Sequence, residues 1–442
     1  SDLAANGRDA LAQSLILCVV NNRAPEKAAD GDCEDNQQTL VRLPHFAAEH
    51  PHMALGWIDA ASPGHTLGPK EGVGLARKIG LDWGLQVLHG QGRDQAPLVC
   101  LDADTRVTTD YLASIRHFFE TPNRWAAVVD YAHPVAGDDG EARAILAYEF
   151  FLRYQELALH YAGSPYHYPA IGSSMMCTAA AYAAAGGMNR RQAGEDFYFL
   201  QQLAKTGHVD RIWDTAVYPA SRPSHRVPFG TGRKVGAYEH DPDDAFLIYH
   251  PATYDVIRNW LAMAQSRLNE DGATLREAAA AINRELGVFL DEQRFTTAWD
   301  RMQQQATTTA RRLRNFHEWF DAFRTLKLTH HLRDNGYPRQ ATRLATDDMN
   351  EDHLAMPRPR RIIFHASPSS VFGTSGKRCH EKRARWVPPS SGGAQRGKLV
   401  GEWSSQETTP PRGDTPVLVL LPGSATLAPS NHPQALRQGR PA

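Results

Sequence analysis

The apolar run Leu98-Val99-Cys100-Leu101 stops at Asp102-Ala103-Asp104, and two carboxylates flanking one small residue at a strand end constrain this chain more than any other feature. In an open parallel sheet, ligands bind in the crevice beyond the carboxyl ends of the strands. Mg²⁺ or Mn²⁺ in such a place shares one or two carboxylates with substrate phosphates, so a nucleoside diphosphate compound is the implied substrate. The same residues could instead end a strand and lead into a helix around residues 110–119, capped by Thr108, Thr109 or Asp110. The triplet alone leaves both readings open.

Other stretches carry the same signature. Ser14 to Val20 is an apolar, strand-like run that ends in Asn21-Asn22, and Met53 to Ile58 is a second one that ends in Asp59. Downstream, Gly186-Gly187-Met188-Asn189 makes a turn, and Gly194-Glu195-Asp196 opens a segment whose Phe197, Leu200, Leu203 and Ala204 recur at helical spacing.

This order resembles the GT-A glycosyltransferases, most closely the inverting family-two enzymes, over residues 12 to 235. The resemblance rests on Val19-Val20-Asn21-Asn22, on Gly72-Val73-Gly74-Leu75-Ala76-Arg77-Lys78 leading a helix, on Leu101-Asp102-Ala103-Asp104-Thr105, and on Gly186-Gly187-Met188-Asn189 followed by Gly194-Glu195-Asp196. It implies an α/β GT-A fold, a Rossmann-like mixed and mostly parallel sheet flanked by helices. It also implies that Asn21 and Asp59 hold the nucleotide base, that Asp102 and Asp104 hold ribose and metal, and that Asp196 is the catalytic base. The implied partners are a nucleoside diphosphate sugar donor and a sugar, glycan or small-molecule acceptor.

Composition excludes several other classes. Lys+Arg 48 against Asp+Glu 49 gives a net charge of -1, so no global field steers the chain to nucleic acid or anionic membrane. No run approaches the roughly 18 apolar residues of a membrane span. Cys18, Cys33, Cys100, Cys177 and Cys379 are scattered and lack a Cys-x-x-Cys pair, which fits a reducing cytoplasm. Gly72-Val73-Gly74 lacks the third glycine of a dinucleotide fingerprint, and no phosphate-binding Gly-x-x-x-x-Gly-Lys-Ser/Thr loop occurs. Nor does Gln201-Gln202-Leu203-Ala204-Lys205 offer the Gln-x-x-Arg-Trp of processive synthases, so transfer of a single sugar is expected.

Pattern changes divide the 442 residues into three. Residues 12–240 alternate short apolar runs with helical stretches, as a catalytic βα unit would. Residues 241–340 carry helical periodicity without strand signals, at Ile257, Leu261, Ala264 and Leu268 and again at Leu313, Phe316, Phe320 and Phe323. This helical appendage could contact the acceptor, mediate a homo-oligomer, or cover one side of the sheet. From 356 to 442 the chain turns to Pro, Ser, Gly and Arg clusters, and a disordered tail is expected, including the short run Val417 to Leu421.

Each chemical role has a plainer counterpart. Asp104 is the expected principal metal ligand, with Asp102 shared between ribose and metal. Asp196 is the expected base, although a helix-capping aspartate would have its pKa lowered by the helix N-terminus, with Glu195 beside it as an acceptor contact. His225, in a loop with Gly230, Gly232, Arg233 and Lys234, could complete the metal shell, or be one histidine among 20. Arg77 could reach the diphosphate or lie on a solvated helix face, and Asp59 could serve an ordinary turn. Tyr166 and Tyr168 could stack on an acceptor sugar, with packing the simpler expectation. The reading that results is metal-dependent, inverting glycosyl transfer. A retaining enzyme of the same fold and a catalytically inactive nucleotide-sugar-binding module are its alternatives.

Overall fold

The computed structural model describes residues 2–22, 31–68, 71–135, 139–221, 247–341 and 417–422. Ten strands lie among them: β1 (Ser14–Asn21), β2 (Ala54–Ala60), β3 (Pro97–Cys100), β4 (Arg106–Val107), β5 (Ala126–Tyr131), β6 (Met175–Thr178), β7 (Val209–Tyr218), β8 (Leu247–Ile248), β9 (Gln340–Ala341) and β10 (Val417–Pro422). Eight of them form one sheet in the order β2-β1-β10-β3-β6-β5-β7-β4, and β8 pairs with β9. In the large sheet β2, β1, β10 and β3 run parallel, and β6 is antiparallel to both β3 and β5. The ends of β1, β2 and β3 therefore face one edge, where the polar residues Asn21, Asp59 and Asp102 gather. This is the α/β architecture that the strand and helix alternation predicts.

The strands are buried for a reason visible in their composition. β3 and β6 are short runs of apolar residues, buried at every position, as strands covered on both faces must be. On one face lies a core of Ile16, Val99, Tyr111, Ile115, Val129 and Met176, and on the other a core of Leu17, Val19, Leu81, Leu98, Val128 and Leu200.

The end of the chain departs from expectation. Val417–Pro422, read as part of a disordered tail, is the strand between β1 and β3, with Leu418, Val419 and Leu420 buried. Val419 enters one core, and Leu418 and Leu420 enter the other. An unbroken apolar run this short satisfies a doubly covered strand, and burying each leucine contributes roughly 1.5 to 3 kcal/mol. Helix α3 (Val73–Gly90) is shaped to receive it. A Cβ at Gly80 would lie 1.9 Å from Leu420 Cδ1, and one at Gly84 2.5 Å from Leu418 Cδ2, so a larger residue at either position would force those leucine side chains to shift. The inserted strand also sets β1 and β3 two strand spacings apart, about 9 to 10 Å. The remainder of the expected tail lies outside the described residues.

Six helices between Pro251 and Asp334 follow the sheet in sequence. They share an apolar cluster built on Trp260, Phe289, Phe295, Trp299, Phe316 and Phe320, to which Tyr154 and Ala158 of helix α5 (Asp139–Tyr161) and Ala162 just after it also belong. The periodic run from Leu313 to Phe323 is two helices rather than one. Asp321 caps the second, its side chain accepting from the Arg324 N–H at 3.0 Å, and Phe323 turns partly outward. The helices also brace helix α7 (Glu195–Thr206). Lys205 Nζ meets Asp321 Oδ2 at 2.5 Å, and the Phe323 N–H donates to Gln201 Oε1 at 2.8 Å.

Candidate active site

One half of the edge is built from β1 and β2. Asn22 is structural: its Nδ2 donates to the Ala61 carbonyl at 3.1 Å and its Oδ1 accepts from Asn36 Nδ2 at 2.5 Å. Asn21 Oδ1, by contrast, is a buried acceptor without a hydrogen-bond partner among the described residues. Asp59 makes the turn that its sequence neighbourhood allowed, Oδ1 accepting the N–H groups of Ala61 and Ser62 at 2.9 Å each. Burial works to raise its pKa, but the Ser62 and Ala61 hydrogen bonds and His65 at 3.6 Å outweigh it and hold the carboxyl below its usual range.

The triplet follows β3 and its two carboxylates differ. Asp104 is exposed. Asp102 is oriented at both oxygens: Oδ1 accepts from Arg77 Nη2 at 2.5 Å and Oδ2 from Ser173 Oγ at 2.8 Å. Thr105 Oγ1 donates in turn to Ser173 Oγ at 2.9 Å. Ser173 was not singled out by its sequence context. The signal that could have found it is a buried polar Ser173-Ser174 pair set between Gly172 and the apolar strand β6.

Arg77 occupies the centre. It projects from α3, is 3 % exposed, and spends its other terminal nitrogen, Nη1, on Glu195 Oε1. Arg77 is therefore buried between two carboxylates instead of lying on a solvated helix face, and Glu195 is buried in an ion pair with it. The burial of Tyr166, whose hydroxyl donates to the His317 carbonyl at 2.6 Å, likewise removes it from acceptor stacking.

Asp196 lies in the first turn of α7, but it is not the cap. That position is Gly194, held at φ 68°, the left-handed region that glycine enters without strain. Asp196 Oδ1 accepts its hydrogen bond from the Phe197 N–H at 2.7 Å. Burial, then the neighbouring charge of Glu195, push its pKa up to about 7, against the lowering pull of Arg77 and the Phe197 N–H. The preceding Gly186 and Gly187 turn is locked by Tyr182, whose hydroxyl accepts from the Met188 N–H at 2.7 Å, and Asn189 Nδ2 holds the Glu195 carbonyl at 2.9 Å.

The described residues contain no group of three His, Cys, Asp or Glu side chains placed to hold a metal ion. His225 lies outside the described residues. The oxygen donors of Asp102 and Asp104 suit a hard cation that takes its remaining ligands from phosphate and water.

Residues 98–235, which contain the triplet, Ser173 and Asp196, match the model of the glycosyl transferase family group 2. No curated protein matches the chain. The matched segment and the sheet around it define a glycosyltransferase. Within that class the matched segment is similar to family group 2, consistent with the GT-A, family-two resemblance carried by its motifs. No helix among the described residues is long and apolar enough to cross a membrane.

Proposed function

We propose that this domain transfers a single sugar from a nucleoside diphosphate sugar to an acceptor hydroxyl, with inversion at the anomeric carbon. The observation that carries the proposal is Asp196, a carboxylate pushed up to about 7 and held near the acidic triplet's own anchor, Arg77. A base works best when its pKa lies near the operating pH. The acceptor oxygen bonds to the anomeric carbon as its proton passes to Asp196, and the bond to the diphosphate breaks with its electron pair leaving on the diphosphate. Mg²⁺ or Mn²⁺, when bound, supplies charge stabilisation to that leaving group.

The rest is the chain's own work. Asp104, being exposed, offers its oxygens to the cation, while Asp102, oriented at both oxygens, keeps lone pairs for a ribose hydroxyl or the cation. The buried acceptor of Asn21 and the ionised Asp59 suit donor N–H groups of a base. His225 is a further candidate ligand. The scattered cysteines, with no Cys-x-x-Cys pair, suit a reducing, cytoplasmic setting.

The test measures nucleotide binding by thermal shift, and donor hydrolysis, with and without Mn²⁺. Binding to the native state raises its stability, so nucleoside diphosphate sugars should raise the melting temperature more when Mn²⁺ is present. Asp104→Asn should remove that Mn²⁺-dependent increment and leave the unliganded melting temperature unchanged. An undiminished increment would take the triplet out of the site.

A further inference from the structure

Arg77 joins two parts of the site that are far apart in sequence. Asp102 lies 25 residues after it and Glu195 lies 118 residues after it. Its seat is made by missing side chains. A Cβ at Gly172 would stand 2.2 Å from Arg77 Nη2 and 2.8 Å from its Cζ. A Cβ at Gly74, one turn before Arg77 on α3, would stand 2.4 Å from the Arg191 carbonyl oxygen and 3.1 Å from Glu195 Cβ. Neither position tolerates even alanine unless the 189–195 turn or the guanidinium moves. Ser173, next to Gly172, then fixes the oxygen of Asp102 that Arg77 does not hold.

We infer that Arg77 and Ser173 are positioning residues that align the donor half of the site with the turn bearing Asp196. The inference rests on the glycosyltransferase reading but assigns residues that touch neither sugar nor phosphate. Three features carry it: the guanidinium bridges Asp102 and Glu195, it is sealed from solvent, and both oxygens of Asp102 are committed to it and to Ser173. A planar guanidinium spans two carboxylates in fixed geometry, whereas a lysine ammonium is a point charge on a flexible stem and cannot hold both in the same places.

The arrangement predicts a split between binding and turnover. Ser173→Ala acts on Asp102 and Thr105 and not on Glu195, so it should weaken Mn²⁺-dependent nucleoside diphosphate binding by roughly fivefold, the scale of one hydrogen bond, and lower kcat far less than Arg77→Lys does. Glu195→Gln acts on the turn, so it should lower kcat and leave nucleotide affinity unchanged. Arg77→Lys should do both, with kcat falling on the order of 10²-fold, as expected for misplaced groups. Adding Ser173→Ala to Arg77→Lys should cost less than the fivefold it costs alone, because both act through Asp102. Binding is read by calorimetry with the nucleoside diphosphate and Mn²⁺, and kcat by saturating donor turnover.

A purely structural role would change the active fraction in every variant and produce no split. Independent, multiplicative effects of the Arg77 and Ser173 substitutions would overturn the inference. So would an Arg77→Lys enzyme that loses diphosphate affinity and keeps full kcat, since that is the behaviour of a phosphate ligand. If Arg77→Lys does not fold, the opposite responses of the Ser173 and Glu195 variants still decide. Wild-type protein that binds no nucleotide would refute the functional reading itself, a result distinct from any failure of the split.

Discussion

Two arginine–carboxylate networks lie in this sheet, and they treat their carboxylates in opposite ways. Around Arg77, one guanidinium faces Asp102 and Glu195 directly, with the charge of Asp196 close by. Around Asp130 of β5, Arg153 and Arg211 share that carboxylate at 3.2 and 2.7 Å, Arg153 also holds Glu149 at 3.0 Å, and Arg211 holds Glu156. His133 adds its backbone N–H to Glu149 at 2.7 Å and its ring at 3.1 Å. Burial would raise Glu149, but the two His133 hydrogen bonds and Arg153 outweigh it and its pKa falls below the usual range. In the first network cations are too few, and Asp196 is pushed up to about 7. The same residue types thus make a fixed brace where two guanidiniums share three carboxylates and a proton acceptor where one guanidinium faces three.

The largest expected difference is in turnover. Asp196→Asn should lower transfer by about 10²- to 10⁴-fold, the usual range for a positioned base, while nucleotide binding persists. Its stability should hold or rise at pH 8, because a carboxylate that the fold disfavours has been replaced by a neutral group. Near wild-type turnover in this variant would merge the two networks into one kind.

Glu149→Gln should do the reverse. Removing a charged acceptor from His133 and Arg153 should cost roughly 1 to 3 kcal/mol of stability, read from urea unfolding, with nucleotide affinity unchanged. A loss of affinity without loss of stability would make the brace part of the site.

Stability against pH should separate the networks by sign. The folded pKa of Asp196 is raised, so the native state binds more protons than the unfolded chain between about 4 and 7, and this group's contribution falls as pH rises through that window. The folded pKa of Glu149 is lowered, so its contribution is full above the unfolded value and is lost as pH falls through the folded one. Urea midpoints from pH 3 to 8 for wild type and both variants check this: Asp196→Asn should flatten the neutral slope, and Glu149→Gln the acid slope. The smallest effect belongs to Arg106, 77 % exposed in its pair with Asp2, where Arg106→Gln should change stability by no more than about 1 kcal/mol.

What the sequence made legible was local. The triplet and Gly194-Glu195-Asp196 each announce themselves within a few residues, and the period of Ile257, Leu261 and Ala264 marks a helix because all three face one core. Long-range partners leave no such trace. Nothing near Arg77 in sequence indicates Glu195, and the distinction between a diphosphate contact and a buried bridge depends on Gly172, which only the fold brings to it. β10 was hidden differently: six suitable residues stood among Pro, Ser, Gly and Arg clusters, and their partners are β1 and β3, hundreds of positions earlier in the chain. The raised pKa of Asp196 was also out of reach, since the helix N-terminus argued for the opposite direction and burial decided the outcome.

The most direct test of the central claim is the pH dependence of transfer at saturating donor and Mn²⁺, from pH 5.5 to 8.5, for wild type and Asp196→Asn. The account predicts that wild-type kcat rises through an inflection near 7 as Asp196 loses its proton, and that the limb is absent from the residual activity of the variant. A wild-type profile that is flat across this range, or a limb that survives in Asp196→Asn, would contradict it.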